Sequence, residues 1–285
     1  MDESGARSWP ERSERPRRAR TLAVTGGKGG VGKSSLAVNL ALAVAGSGRR
    51  VLLVDADLGL ASADLLLGLT PRATLAEVAL DGLPIGEALV NVAPGFDLLP
   101  GASGVGELAD LSPVGREQLI ASLGALDDDY DLIVVDTAAG AGQGVRAFLR
   151  AADRVLVVAS PDPAAVTDAY ALVKLLTGEG RTGIALAINM ARSEDEGRRI
   201  GERVAQVARR YLGVDLDVLG SVPFDWQAAA AVRARRPLLL ASPQAPASAA
   251  VRRLAERVGN WALPSAGVSR ERRGLVGLLS RAVGM

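Results

Sequence analysis

One stretch of this chain concentrates residues able to do chemistry: Gly26-Gly27-Lys28-Gly29-Gly30-Val31-Gly32-Lys33-Ser34-Ser35. Gly27 and Gly32, four residues between them and Lys33-Ser34 directly after, have the spacing of a phosphate-binding loop. Glycines allow successive backbone N–H groups to turn toward phosphate oxygens, and a helix starting at Lys33 adds the positive end of its dipole. Lys33 is then placed for β- and γ-phosphates and the Ser34 hydroxyl for Mg2+. The chain has only three lysines, Lys28, Lys33 and Lys174, among 33 basic residues, so a second lysine inside the loop stands out. Lys28 is either an exposed loop lysine or a further phosphate ligand.

The absences narrow the chemistry. There is no cysteine and no histidine, which excludes disulfides, thiol nucleophiles, imidazole bases, Ser-His-Asp triads and cysteine-ligated clusters. Carboxylates, hydroxyls, ammonium groups and the backbone remain. Hydrophobic residues make up 48% and charged residues 23% of 285, ordinary for a globular core, while only 3% are aromatic. That core must be aliphatic, which suits parallel strands covered by helices. The formal charge of +1 selects no partner class.

Nearly continuous apolar runs predict buried strands at Thr21–Thr25, Val51–Val54, Phe96–Leu99, Leu132–Val135, Val155–Ala159, Ile184–Ile188 and Val218–Val222. Helical spacing fills Ser34–Ala45, Arg116–Leu126, Val145–Ala151, Ala164–Leu176, Asp195–Tyr211 and Ala247–Trp261. The alternation predicts one α/β domain over 21–263, a doubly wound and mostly parallel sheet with helices on both faces, its ligand at the strands' carboxyl ends. Strand and helix flank the glycine loop as a phosphate site requires. Asp136 ends the strand beginning at Leu132, where a carboxylate beside the loop can hold Mg2+ through a water. Asp55 and Asp57 end the second strand, and Asp55 could equally be a carboxylate at a helix N-terminus.

Lys28-Gly29-Gly30-Val31-Gly32-Lys33-Ser34 resembles the deviant Walker A motif of the MinD/ParA family of ATPases. The resemblance implies ATP with Mg2+ as ligands, slow hydrolysis, and an ATP-dependent homodimer in which Lys28 reaches the second copy's nucleotide and is catalytic together with Lys33. Val54–Leu60 is similar to the family's first switch segment, which implies that Asp57 orients the attacking water and that Asp55 lies on the magnesium side with Ser34 and Asp136. Asn189 matches the position of an adenine-contacting asparagine, although an asparagine at a strand end is also a common turn residue. The family implies a binding set of Gly27, Lys28, Gly29, Gly30, Val31, Gly32, Lys33, Ser34, Ser35 and Asn189. Without cysteine the chain departs from the family's iron–sulfur and arsenite branches. Asp55–Asp64, Leu99–Ala109, Asp131–Asp136 and Pro161–Tyr170 resemble the FlhG branch, regulators of flagellar number and placement. The branch implies a flagellar GTPase, FlhF, or a flagellar regulator as partner. Residues 1–20 lack the Asp-Gln-Ala-x-x-Leu-Arg element with which many FlhG proteins stimulate that GTPase.

The flanks carry separate expectations. Residues 1–20 mix six arginines with four acids and no apolar core, the composition of a disordered charged tail or a weak polyanion-binding arm, and not of a secretory signal. Residues 264–285 read as a linker followed by an amphipathic helix. Within 270–285 one helical face gathers Leu275, Leu278, Leu279, Val283 and Met285 opposite Arg270, Arg273 and Arg281. That pattern suits a membrane surface or docking on the domain's own core, and it resembles the family's membrane-targeting tail. The expected location is the cytoplasm, in reversible association with the inner face of the cell membrane. The alternatives are a ParA-like DNA-partitioning protein, touching nucleoid DNA through residues such as Arg233, Arg235 and Arg236, and a MinD-like division-site regulator.

Overall fold

The structure, a computed structural model, describes residues 19–57, 61–101, 124 and 126–263. The strands are β1 (Arg20–Thr25), β2 (Val51–Ala56), β3 (Val90–Ala93), β4 (Phe96–Leu99), β5 (Leu132–Thr137), β6 (Arg154–Ala159), β7 (Ile184–Ala191) and β8 (Asp217–Pro223). They form one sheet in the order β3-β4-β2-β5-β1-β6-β7-β8, parallel throughout except for the antiparallel β3–β4 pair. β3 is absent from the apolar-run reading because its side chains are only partly buried. An edge strand of four residues carries no continuous apolar signal.

Ten helices are present among the described residues: α1 (Lys33–Ala45), α2 (Ala63–Leu67), α3 (Leu75–Leu80), α4 (Ile85–Ala88), α5 (Gln143–Ala151), α6 (Pro163–Gly178), α7 (Glu194–Leu212), α8 (Trp226–Arg233), α9 (Leu238–Ala241) and α10 (Pro246–Ala262). The helix expected over Arg116–Leu126 lies almost entirely outside the described residues, as do the tails 1–18 and 264–285.

Alternate strand residues feed opposite layers, as a pleated strand buried on both faces must. Ala23, Val54, Val135, Val157 and Leu186 enter the core under α3 to α7. Leu22, Val24, Leu53, Val134 and Leu156 enter the core under α1 and α8 to α10. The expected doubly wound arrangement is therefore present. β1 lies between β5 and β6, and successive connections leave it in opposite directions. The glycine loop leaves β1 at its carboxyl end, the switch point where such sheets open a crevice.

Candidate functional site

The loop from Gly26 to Gly32 enters α1 through Gly32, whose φ of 81° and ψ of 25° place it in the left-handed region. A side chain there would be strained, and its Cβ would also lie 2.4 Å from Asn189 Nδ2. Gly27 is fixed by proximity, since a Cβ would lie 2.5 Å from the Asp168 carbonyl carbon in α6. The glycines thus bring the loop flush against one helix and one strand end. Gly140 N–H donates to the Gly26 carbonyl at 2.9 Å, which ties the segment after β5 to the base of the loop.

The loop's two lysines occupy opposite environments. Lys33 is 8% exposed and its charge acts on Asp136. Lys28 is 50% exposed and its Nζ lies 3.1 Å from Asp162 Oδ2. Asp162 caps α6, accepting from Ala165 N–H at 3.2 Å, and the Lys28 ammonium holds its carboxyl below the usual range. Exposed pairs of this kind are weak. Lys28 is therefore parked at the rim on its own chain and not turned into the phosphate cradle.

Asp55 and Asp136 are register partners on β2 and β5, yet they are used differently. Asp55 Oδ1 accepts from Asp57 N–H at 3.1 Å, and Oδ2 accepts from Ser62 and Ala63 N–H at 2.8 and 2.9 Å. Both oxygens serve the backbone, Oδ1 just after β2 and Oδ2 at the start of α2, the helix N-terminal role left open beside metal ligation. Burial still raises its pKa, with those three bonds opposing. Asp136 is fully buried, and neither of its oxygens has a hydrogen-bond partner. Burial pushes its pKa up to about 7; the Ser34 hydroxyl and Lys33 act against the rise, and Asp55 and Asp57 add to it. The Ser34 hydroxyl is near enough to favour the charged carboxylate without closing a well-formed hydrogen bond. A buried carboxylate with both oxygens orphaned, a serine hydroxyl beside it and a phosphate loop adjacent is a donor set that fits a hydrated Mg2+. Among the described residues no three carboxylates, histidines or cysteines form a ready metal cage.

Asp57 is partly exposed at the end of β2, and the following Leu58, Gly59 and Leu60 lie outside the described residues. Ser35 lies in the first turn of α1 and lines the cleft beside the loop, which encloses about 370 Å³. Its far wall is Val222, Phe224, Ala228, Val232 and Val251, an apolar slot of the kind a flat base occupies. Asn189 stands between slot and loop, with its Nδ2 on the Val31 carbonyl at 2.9 Å.

Three residues support the site: Asp225 ends the Ser221–Asp225 stretch that resembles the family's loop against the other edge of the base, whereas Asn39 and Asp162 carry no role in the sequence reading. Asp225 accepts from Gln227 N–H at 2.9 Å and from Ala247 N–H at 3.3 Å, joining the starts of α8 and α10 behind the slot. Asn39 in α1 accepts from Leu239 N–H at 3.0 Å, pinning α9 to the loop's helix. The third is Asp162. Aspartate just before a proline at the first helical position is a readable cap signal for Asp162; nothing local marks Asn39, whose partner is 200 residues away.

A family model described as an AAA domain matches residues 19–179. The chain is 45% identical to the antiactivator FleN of Pseudomonas aeruginosa over 86% of its own length and 88% of that protein's. It is 37% identical to the flagellum site-determining protein YlxH of Helicobacter pylori, covering 70% of this chain and 68% of that one. Among solved structures it is similar to the septum site-determining protein MinD of Pyrococcus horikoshii complexed with Mg-ADP, with a TM-score of 0.70 and 26% identity over 88% of this chain and 100% of that one.

Proposed function

This chain belongs to the MinD/ParA family of P-loop ATPases, and from that premise we propose that it is an ATP-switched dimer that regulates flagellar number or placement from the membrane surface. The observation that carries the switch is Lys28, held on Asp162 of its own chain and half exposed, while Lys33 is buried with its charge acting on Asp136. A half-exposed ammonium in a weak surface pair supports a role on a nucleotide in a second copy. FleN and YlxH, by their names, act on flagella, and that is the support for the flagellar output.

In this reading the loop's N–H groups and Lys33 hold the β- and γ-phosphates of ATP, and the apolar slot takes the base. Mg2+, when bound, supplies charge neutralisation on the phosphates, held by the Ser34 hydroxyl and by Asp136 through water. Asp57 orients the water that attacks the γ-phosphorus as the bond to the β-phosphate oxygen breaks. Lys28 of a second copy offsets the charge developing on the phosphates, so that dimerisation and hydrolysis are coupled. No described helix is long and apolar enough to cross a membrane, and the membrane contact is assigned to residues 270–285, outside the described part. One apolar face should bind weakly, and two on one dimer bind by avidity, on the order of 100-fold more tightly.

Liposome co-sedimentation of the hydrolysis-blocked Asp57→Ala protein tests the switch: retention with ATP and release with ADP is expected, and equal retention overturns it. Flagella counted per cell after deletion of the gene test the output, and an unchanged number removes the flagellar part. The second reading, DNA partitioning, draws on Arg233, Arg235 and Arg236, which are all exposed at the end of α8. ATP-dependent DNA retention that falls steeply with salt would favour it.

A further inference from the structure

The Asn189 carboxamide is turned toward the phosphate loop. Its partner there is the Val31 carbonyl, and a carbonyl can only accept, so the amide nitrogen must be the atom that faces it. The strand end is shaped to deliver that contact. β7 and β8 slip register between Asn189 and Ala191, Met190 adopts a φ of 61°, and Phe224 N–H closes onto the Ala191 carbonyl at 2.6 Å. A left-handed methionine is a conformation that persists where the surroundings impose it.

The consequence lies in the peptide that Asn189 holds. No cis peptide bond occurs among the described residues, so the Val31 carbonyl and the Gly32 N–H point in opposite directions across one rigid plane. With the carbonyl fixed toward Asn189, the Gly32 N–H is fixed pointing away from it. Gly32's own carbonyl accepts from Leu36 N–H at 2.9 Å, which sets the next peptide as the first of α1.

We infer that Asn189 is a positioning residue for phosphate binding: it sets the Val31–Gly32 peptide so that the Gly32 N–H is presented to the ligand, whatever base that ligand carries. The inference rests on the loop being a nucleotide site. It departs from the role the family resemblance implies, a contact to adenine. A base contact is lost only for ligands that have the base, whereas a misaligned peptide is lost for every polyphosphate.

Calorimetric binding of ATP and of inorganic tripolyphosphate, both with Mg2+, to wild type, Asn189→Ala and Asn189→Asp separates the two. Asn189→Ala should weaken both ligands by the same factor, about tenfold, the scale of one charge-assisted hydrogen bond. Asn189→Asp sets a carboxylate oxygen against the Val31 carbonyl and should weaken both further, with circular dichroism confirming that each variant is folded at the temperature of the titration. Loss confined to ATP, or an Asn189→Asp protein that keeps its affinity for both ligands, overturns the inference. Wild-type protein that binds neither ligand overturns the nucleotide-site reading itself.

Discussion

Replacing Asp136 with asparagine should stabilise the nucleotide-free, magnesium-free protein, by an amount that grows with pH. Asp136 is fully buried with both oxygens unpartnered, and burial raises its pKa from 3.8 to about 7. Between those values the folded protein keeps a proton that the unfolded chain has released. Stability therefore falls as pH rises across that window, and the penalty is complete above the folded-state value. At about 1.36 kcal/mol per pH unit it reaches at most about 4 kcal/mol. Asparagine has nearly the same shape and no charge to bury. Asp136→Asn should exceed wild type by roughly 1–2 kcal/mol at about pH 5 and by up to about 4 kcal/mol at about pH 8. Urea unfolding in a chelator at several pH values reads this directly. A difference that stays constant over that range, or a variant less stable than wild type at the alkaline end, refutes the reasoning. The same proton makes wild-type affinity for Mg-ATP climb with pH and level off near neutrality, because the cation requires the ionised carboxylate.

Two further substitutions test the supports of the site. Gly27→Ala would place a Cβ 2.5 Å from the Asp168 carbonyl carbon, and relieving that contact by about 1 Å should cut steady-state phosphate release about 100-fold; an unchanged rate would show that α6 yields freely. Asn39→Ala leaves the buried Leu239 N–H without its acceptor and should lower the free energy of unfolding by about 1–3 kcal/mol in urea titration.

The parallel strands, the long helices and the phosphate loop are legible in the sequence because each is a local pattern. Buried strands such as Val155–Ala159 must be apolar on both faces, and Gly27 and Gly32 mark places where no Cβ fits. Short helices such as α2 and α9 escape because four or five residues hold too little period, and their starts are set from elsewhere, by Asp55 and Asn39. The residue types of the site are equally plain, but their allegiances are not. Asp55 and Asp136 look alike at two strand ends; only the fold sends one to three backbone N–H groups and leaves the other orphaned. Lys28 reads as an exposed loop lysine or, by the family resemblance, as a residue that reaches a second copy's nucleotide, and its present partner is Asp162, which the chain brings back from 134 residues away.

The central claim is that Lys28 serves a nucleotide in a second copy of the chain. Light scattering after size exclusion measures it most directly, with Asp57→Ala and the double variant Lys28→Ala, Asp57→Ala each run in ADP and in ATP. The account predicts a monomer in ADP for both, a dimer in ATP for Asp57→Ala, and a monomer in ATP once Lys28 is gone. A monomer in both nucleotides, or a dimer that survives Lys28→Ala, would contradict it.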